Sequence, residues 1–190
     1  LTQRWVPQRI VEASGIDRSC GVVEIGPGFG PLTQELCLRA GHVVAIEVDQ
    51  TLRPVLAETV GEFSNLEILF ADALKADLPA LVAEKLDGLR PAACANLPYY
   101  ITSPVLTKLL ESRCFSSVTV MVQKEVAQRI CAAPASRDYS AFTVLCMRSN
   151  SGDGLPMQNV LVKSPQYPWY LAPISMRIIS FFSSLSSPGL

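Results

Sequence analysis

The chain has little net charge, a single histidine and no long apolar run, and each shortage makes a class of protein less expected. Its 16 Lys and Arg residues are balanced by 17 Asp and Glu residues, so it lacks the overall basic excess typical of nucleic-acid-binding proteins, and any basic surface must be local. A zinc site is not expected, because His42 is the only histidine. The longest apolar runs, such as residues 43–46 and 178–182, are far shorter than the roughly 20 residues that cross a bilayer.

The cysteines form neither a metal-binding nor a disulfide pattern. None of the six is spaced as Cys-x-x-Cys, so in a domain of this size they indicate buried, reduced thiols. No charged-then-apolar leader opens the sequence, and a cytoplasmic protein is expected. A hydrophobic content of 49% with 17% charged residues indicates a globular chain, and 190 residues suit a single domain. The cysteines are Cys20, Cys37, Cys94, Cys114, Cys131 and Cys146.

Apolar strands alternate with amphipathic helices, and Gly and Pro separate them. This alternation predicts an α/β fold with a doubly wound, mostly parallel, Rossmann-like sheet of seven strands and helices on both faces. Residues 149–158 read as a loop without a site. The predicted strands are residues 21–25, 42–48, 66–71, 91–95, 117–122, 142–147 and 176–182. The predicted helices are residues 4–14, 31–40, 51–60, 79–86, 104–112 and 124–132.

A glycine-rich turn follows the first predicted strand. Gly26, Gly28 and Gly30 let the backbone approach a ligand where a side chain would collide. The pattern is G-x-G-x-G rather than the G-x-G-x-x-G of dinucleotide-binding proteins. It therefore favours a nucleoside cofactor without phosphates, such as S-adenosylmethionine. A tight turn that binds nothing is the alternative.

Acidic and amide side chains stand at the carboxyl ends of successive predicted strands, where ligands of such sheets bind. Glu24, a candidate cofactor-binding residue, lies near the end of the first strand, and Glu47 follows Gly26 at close to the ~20-residue offset of an acid that binds ribose hydroxyls. Two carboxylate oxygens match two vicinal hydroxyls, although a solvated strand-end charge is the alternative. Asp72 can accept from an adenine amino group, with Ala73 offering a backbone contact. Asp72 is equally suited to cap a helix.

The segment Asn96-Leu97-Pro98-Tyr99 follows the fourth predicted strand and has the groups needed to hold a planar amine. Pro98 restricts Leu97 to an extended backbone, which can aim the Asn96 side-chain oxygen and the Leu97 carbonyl at one amino group. Tyr99 can stack on an unpaired or flipped base. Positioning and electrostatics then supply most of the catalysis, so no general base is required. An ordinary strand-ending turn is the alternative.

Residues 1 to about 148 resemble the catalytic domain of the rRNA adenine dimethyltransferases, a class I methyltransferase family that includes small-subunit rRNA methylases and macrolide-resistance methylases. The resemblance implies that Gly26, Glu47, Asp72 and Asn96 contact S-adenosylmethionine, and that residues 96–99 hold the target adenine. It also places residues 123–125 near the substrate channel, although Lys124, Glu125 and Arg129 also suit a solvated helix face. The matching segments are residues 24–33, 46–49, 72–73, 96–104 and 122–129, with the stretch around Tyr139.

The sequence departs from this family at three places. Leu1 resembles the last residue of a Gln-Asn-Phe-Leu segment that closes over the cofactor, and the rest of that segment is missing. The expected layout is a catalytic domain over residues 1–182 and a tail over 183–190, without the family's C-terminal helical domain. The aromatic and prolyl stretch containing Tyr167, Trp169 and Tyr170 does not follow the family pattern. Any of the three can supply a second stacking face or pack beneath a loop.

The expected function is S-adenosylmethionine-dependent dimethylation of the 6-amino group of adenine in rRNA. The partner is rRNA or a ribosomal subunit precursor, and the protein is expected to be a monomer without a metal. The Asn-Leu-Pro-Tyr-Tyr segment favours small-subunit maturation over large-subunit methylation that confers macrolide resistance. The sequence also allows a non-catalytic relative that binds nucleic acid, or a small-molecule methyltransferase. An intact set of Glu47, Asp72 and Asn96 argues against the non-catalytic relative.

Overall fold

The computed structural model describes residues 5–97, 101–130, 132–141, 143–144, 159–163 and 170–172, and in them helices alternate with strands. The strands are β1 (Cys20–Ile25), β2 (His42–Glu47), β3 (Leu66–Phe70), β4 (Arg90–Asn96), β5 (Ser117–Gln123), β6 (Asn159–Lys163) and β7 (Tyr170–Ala172). The helices are α1 (Trp5–Ser14), α2 (Pro31–Arg39), α3 (Arg53–Val60), α4 (Leu78–Lys85), α5 (Thr102–Ser112) and α6 (Lys124–Ile130). A short 3-10 turn, Gln50–Leu52, precedes α3.

The described strands form one sheet in the order β3-β2-β1-β4-β5-β6-β7. All neighbouring pairs are parallel except β6 with β7. The chain winds outward from β1 to β3 in one direction and from β4 to β5 in the other. The point of reversal, between β1 and β4, is where open sheets of this kind bind ligands.

Successive side chains along the strands point alternately into two hydrophobic cores, one on each face of the sheet. Val23 and Ile25 of β1 belong to the core that α4, α5 and α6 cover. Val22, one residue away, belongs to the core that α1 and α2 cover. By the same alternation, Glu24 points to the α1/α2 face.

The carboxyl-terminal end of α2 is held by side chains from two other loops. The last carbonyl groups of a helix have no partner within the helix. Here the Ala40 carbonyl accepts from Arg18 Nη1 at 2.8 Å, and the Cys37 carbonyl accepts from Asn65 Nδ2 at 3.0 Å. Arg18 precedes β1 and Asn65 precedes β3, so α2 is anchored at the amino-end edge of the sheet.

The predicted mostly parallel sheet with helices on both faces is confirmed, and β1 to β5 lie close to their predicted positions. In the described residues no helix has both the length and the apolar character of a membrane span. Three of the cysteines, Cys20, Cys37 and Cys94, are buried, whereas Cys114 is half-buried. Cys131 and Cys146 lie outside the described residues.

The predicted strand over residues 142–147 is wrong at residues 143 and 144, the two that the structure describes, because they are helical, as is residue 141. Ser140 and Thr143 cap this helical turn reciprocally: each backbone N–H donates to the other's hydroxyl, at 3.1 and 3.4 Å. A short apolar run does not distinguish a buried strand from a buried helical turn. The predicted strand over residues 176–182 and the predicted loop over 149–158 lie outside the described residues. Strand β6, at Asn159–Lys163, was not predicted.

Candidate cofactor and substrate site

The carboxyl ends of the central strands bring three of the predicted site residues into one row. The last aligned residues of β2, β1 and β4 pair side by side: Ile46, Ile25 and Ala95. The next residue along each chain is Glu47, Gly26 and Asn96, respectively. Since neighbouring strands are about 4.8 Å apart, Glu47 and Asn96 flank the glycine with roughly 10 Å between their backbones. In the register their side chains lie on the α1/α2 face.

The three glycines of the turn have different surroundings. All three have positive φ angles: 72° at Gly26, 59° at Gly28 and 87° at Gly30. A Cβ added at Gly26 or Gly28 would meet no atom within 4 Å, whereas one at Gly30 would lie 2.8 Å from Val60 Cγ1. The first two glycines therefore turn bare backbone toward open space at the site. Gly30 lets the turn pack against α3.

Glu47 is held in a fixed orientation at the end of β2. Its side chain is only 6% exposed, so the solvated-charge alternative does not fit. Its Oε2 accepts from the Gly28 backbone N–H at 3.1 Å, and its Oε1 accepts from the Asp49 N–H at 2.9 Å. Each carboxylate oxygen retains a further lone pair. Glu47 can therefore still accept hydrogen bonds from two neighbouring hydroxyl groups.

Glu24 is a buried carboxyl group without a hydrogen-bond partner. It is 1% exposed, and within the described structure neither of its oxygens meets a donor. Burial raises the pKa of Glu24 to about 8, and the negative charge of Glu47 adds to the rise. The Thr33 hydroxyl opposes it and lowers the pKa in part, although the two side chains do not reach hydrogen-bond geometry. Sequence reasoning missed Thr33, whose only signal is a polar residue on the buried face of the first turn of α2.

The Asp72 side chain stabilises the turn that begins at Asp72 and does not cap a helix. Its Oδ1 accepts from the Leu74 N–H at 3.0 Å, and its Oδ2 lies 3.7 Å from the Lys75 ammonium. The helix-cap alternative is wrong, because Asp77 caps α4 by accepting from the Ala80 N–H. Asp72 is half-buried two residues beyond β3, and Ala73 packs against the α4/α5/α6 core. Both residues stay at the same edge as Glu47.

Asn96 is the last residue of β4 and is half-buried. Leu97, which follows it, is 4% exposed and belongs to the α4/α5/α6 core, so its side chain anchors the backbone beside the site. The other predicted site residues, Leu1, Pro98, Tyr99, Tyr167 and Trp169, lie outside the described residues. Tyr170 begins β7, of which only the backbone is described.

Three exposed apolar side chains stand in the turns after β1, β2 and β3. Phe29 and Val48 are each 68% exposed, and Leu74 is 38% exposed. These residues, the apolar rim, lie next to the glycines, Glu47 and Asp72 in sequence and were not identified from the sequence. At α6, Glu125 and Arg129 are exposed while Ala127 and Ile130 are buried, which is the pattern of a solvated helix face.

The fold and this edge of the sheet are those of a Rossmann-like methyltransferase. A dimethyladenosine transferase from Plasmodium falciparum superimposes with a TM-score of 0.64 at 31% identity, over 76% of this chain and 50% of that one. The 23S rRNA methyltransferase ErmE superimposes with a TM-score of 0.60 at 32% identity, over 68% of this chain and 50% of that one. Both therefore share this fold over about half of their own length.

The chain belongs to the ribosomal RNA adenine dimethylase family, whose sequence model matches residues 1–150. Among curated relatives, the ribosomal RNA small subunit methyltransferase A of Shouchella clausii is 51% identical over 138 residues. That match covers 72% of this chain and 47% of the relative. The chain thus spans about half the length of the relatives it matches.

Proposed function

We propose that this chain transfers methyl groups from S-adenosylmethionine to the 6-amino group of adenine in rRNA, forming dimethyladenosine. One observation carries the proposal. In a member of this family, the sheet register sets the open glycine turn between the oriented carboxylate of Glu47 and the amide of Asn96. The Glu47 carboxylate beside the open turn suits the hydroxyl groups of a nucleoside. The Asn96 amide suits an amino group on a ring.

The described residues fit S-adenosylmethionine. Gly26 and Gly28 leave room that any Cβ would fill, and Glu47 presents lone pairs for the ribose hydroxyls. Asp72 and Ala73 are assigned to the adenine of the cofactor, and Leu1 to the segment that covers it. When bound, S-adenosylmethionine would supply a methyl group on a sulfonium, and loss of that methyl group leaves the neutral thioether S-adenosylhomocysteine, which makes it an excellent donor.

The substrate adenine is assigned to residues 96–99. The Asn96 side-chain oxygen and the Leu97 carbonyl accept from the two amino hydrogens of the base, which leaves the nitrogen lone pair directed away from them. Tyr99 stacks on the ring, and Pro98 fixes the turn between them. Because these groups act by holding and polarising the amine, no group that removes a proton before methyl transfer is needed. The methylated nitrogen then carries a positive charge and loses its proton to solvent.

The small ribosomal subunit is the favoured substrate. The curated relative at 51% identity is named a small-subunit methyltransferase, whereas ErmE, named a 23S rRNA methyltransferase, is 32% identical. The partner is rRNA or a subunit precursor in the cytoplasm, and the chain is assigned as a monomer that uses no metal.

The test is transfer of labelled methyl from S-adenosylmethionine to small- and large-subunit particles that lack adenine dimethylation. Label recovered as dimethyladenosine in the small-subunit particle, and lost with Asn96→Ala, is the expected result. Label in the large-subunit particle alone would contradict the subunit assignment.

Cofactor binding is measured separately by calorimetric titration with Glu47→Gln. Glu58→Gln is the matched control, because Glu58 is an exposed glutamate of α3. Weaker binding in the first variant and unchanged binding in the second are expected. Binding by the unmodified chain without transfer to either particle would instead favour the non-catalytic relative.

A further inference from the structure

We propose that Glu24 holds a proton in the ligand-free protein and releases it when the cationic cofactor binds, so that cofactor affinity depends on pH through this one carboxyl group. The inference rests on the proposed function for the nature of the cofactor. It adds a role for a residue whose oxygens contact no donor in the described structure.

The position of Glu24 makes the charged form unfavourable. In the sheet it lies between Ala45 of β2 and Cys94 of β4, and neither side chain is a strong hydrogen-bond donor. Both carboxyl oxygens are buried without a partner. A buried carboxylate that lacks a partner is costly, and such a group commonly keeps its proton instead.

Among the described residues, the charged and titratable groups around Glu24 do not include a cation. Helix α2 contributes Thr33 and the Cys37 thiol, β4 contributes the Cys94 thiol, and β2 contributes Glu47. Burial raises the pKa of both thiols far above neutrality, so they remain uncharged. The buried residues of α1, which covers the same face, are not titratable: Val6, Pro7, Ile10, Val11 and Ser14.

A cation bound at the edge of the sheet changes this balance. Glu24 lies two residues before Gly26 and on the same face as Glu47, so a positive charge bound at the open turn acts on both buried carboxyl groups. Glu47 already accepts two backbone N–H groups, whereas Glu24 has no such partner in the described structure. S-adenosylmethionine has a sulfonium, an ammonium and a carboxylate group, and its net charge is +1. A positive charge lowers the pKa of a neighbouring carboxyl group, and the proton of Glu24 then passes to the buffer.

Thermodynamic linkage between proton binding and cofactor binding fixes how cofactor affinity changes with pH. If the cofactor favours the ionised form of Glu24, the proton weakens cofactor binding by the same factor. Each unit by which the bound cofactor lowers the pKa of Glu24 corresponds to about a tenfold gain in affinity. Affinity for S-adenosylmethionine should therefore rise as the pH increases toward 8 and level off above it. S-adenosylhomocysteine lacks the sulfonium charge, so its affinity should rise much less.

The experiment is calorimetric titration of the 190-residue chain at pH 7 in buffers of different ionisation enthalpy, with S-adenosylmethionine and S-adenosylhomocysteine. Wild type should release protons when S-adenosylmethionine binds, and far fewer when S-adenosylhomocysteine binds. Glu24→Gln should release none. Thr33→Val removes the hydroxyl that favours the anion, so its affinity should level off at a higher pH than in wild type. Equal proton release in wild type and Glu24→Gln would overturn the proposal, as would binding without release in wild type.

A ligand-free measurement separates failure of this proposal from failure of the cofactor assignment. Infrared difference spectra of wild type against Glu24→Gln should show a protonated carboxyl band at pH 6 that disappears by pH 9. Absence of that band overturns the role of Glu24, whether or not a ligand binds. If the band is present but neither ligand binds, the cofactor assignment fails, and the coupling to the cofactor fails with it.

Discussion

Glu24 should make the ligand-free protein lose stability as the pH rises from acidic to mildly basic. In the fold the pKa of Glu24 is raised from 4.5 to about 8, whereas in the unfolded chain it returns to its ordinary value. Below pH 4.5 both states hold the proton and no stability is lost. Between these values the native state binds more protons than the unfolded state, so the free energy of unfolding falls with pH.

The magnitude follows from the size of the pKa difference. One unit corresponds to about 1.4 kcal/mol, so a difference of about 3.5 units amounts to about 5 kcal/mol between pH 4.5 and pH 8. At pH 7 the loss is about 3 kcal/mol. That is a large part of the 5–15 kcal/mol typical of a folded domain. Glutamine has the shape of the protonated acid and does not titrate, so Glu24→Gln should abolish the loss.

The assay is urea denaturation of both proteins at intervals from pH 5 to pH 8. The difference between the two curves cancels every other titrating group. The variant should gain about 4 kcal/mol relative to wild type over this range. Glu58→Gln, at an exposed glutamate, should differ from wild type by less than about 0.5 kcal/mol throughout. Parallel curves for wild type and Glu24→Gln would refute the reasoning, because they would show that the carboxylate finds a partner in the folded chain.

Three further changes test other contacts. Gly28→Ala should lower the free energy of unfolding by about 1 kcal/mol for its positive φ and weaken S-adenosylmethionine binding. Gly30→Ala has the same φ cost, and its Cβ also meets Val60, which should add about 1–3 kcal/mol. Denaturation and calorimetry measure both variants, and the reverse order of stability would contradict the assigned roles. Asp77→Ala removes the cap of α4 and should cost about 1 kcal/mol in denaturant unfolding, and no loss would mean that water replaces the cap. Phe115→Ala should cost about 3–5 kcal/mol in the same assay, since its side chain is fully buried; a cost below 1 kcal/mol would show that the core refills the space.

The site was predictable where it depends on strand ends and unpredictable where it depends on side-chain neighbours. Apolar runs ending in Gly26, Glu47 and Asn96 suffice to predict their meeting, because parallel strands align their carboxyl ends. The difference between Gly28 and Gly30 depends on where α3 packs, and no local pattern contains that information. Whether the Glu24 oxygens find a hydrogen-bond partner likewise depends on which side chains lie around them in the folded protein.

The predicted strand over residues 142–147 shows a different limit. This run is apolar and short, so local preference allowed a strand as readily as a helical turn. The reciprocal bonds between Ser140 and Thr143 decide in favour of the helix. Whether Asp72 caps a helix was similarly open from the sequence, and the observed start of α4 after Asp77 decides against it.

The anchoring of α2 gives the two edges of the sheet different roles: the amino-end edge stabilises the fold, and the carboxyl-end edge holds the proposed site. Arg18 and Asn65 hold the carboxyl-terminal end of the helix, while its amino-terminal end adjoins the glycines of positive φ and Glu24, a buried acid without a partner in the described structure. Better caps or shorter loops at the anchored edge should therefore raise the melting temperature while leaving every proposed site residue unaltered. The same kinds of substitution at the other edge would raise stability only by changing residues of the proposed site.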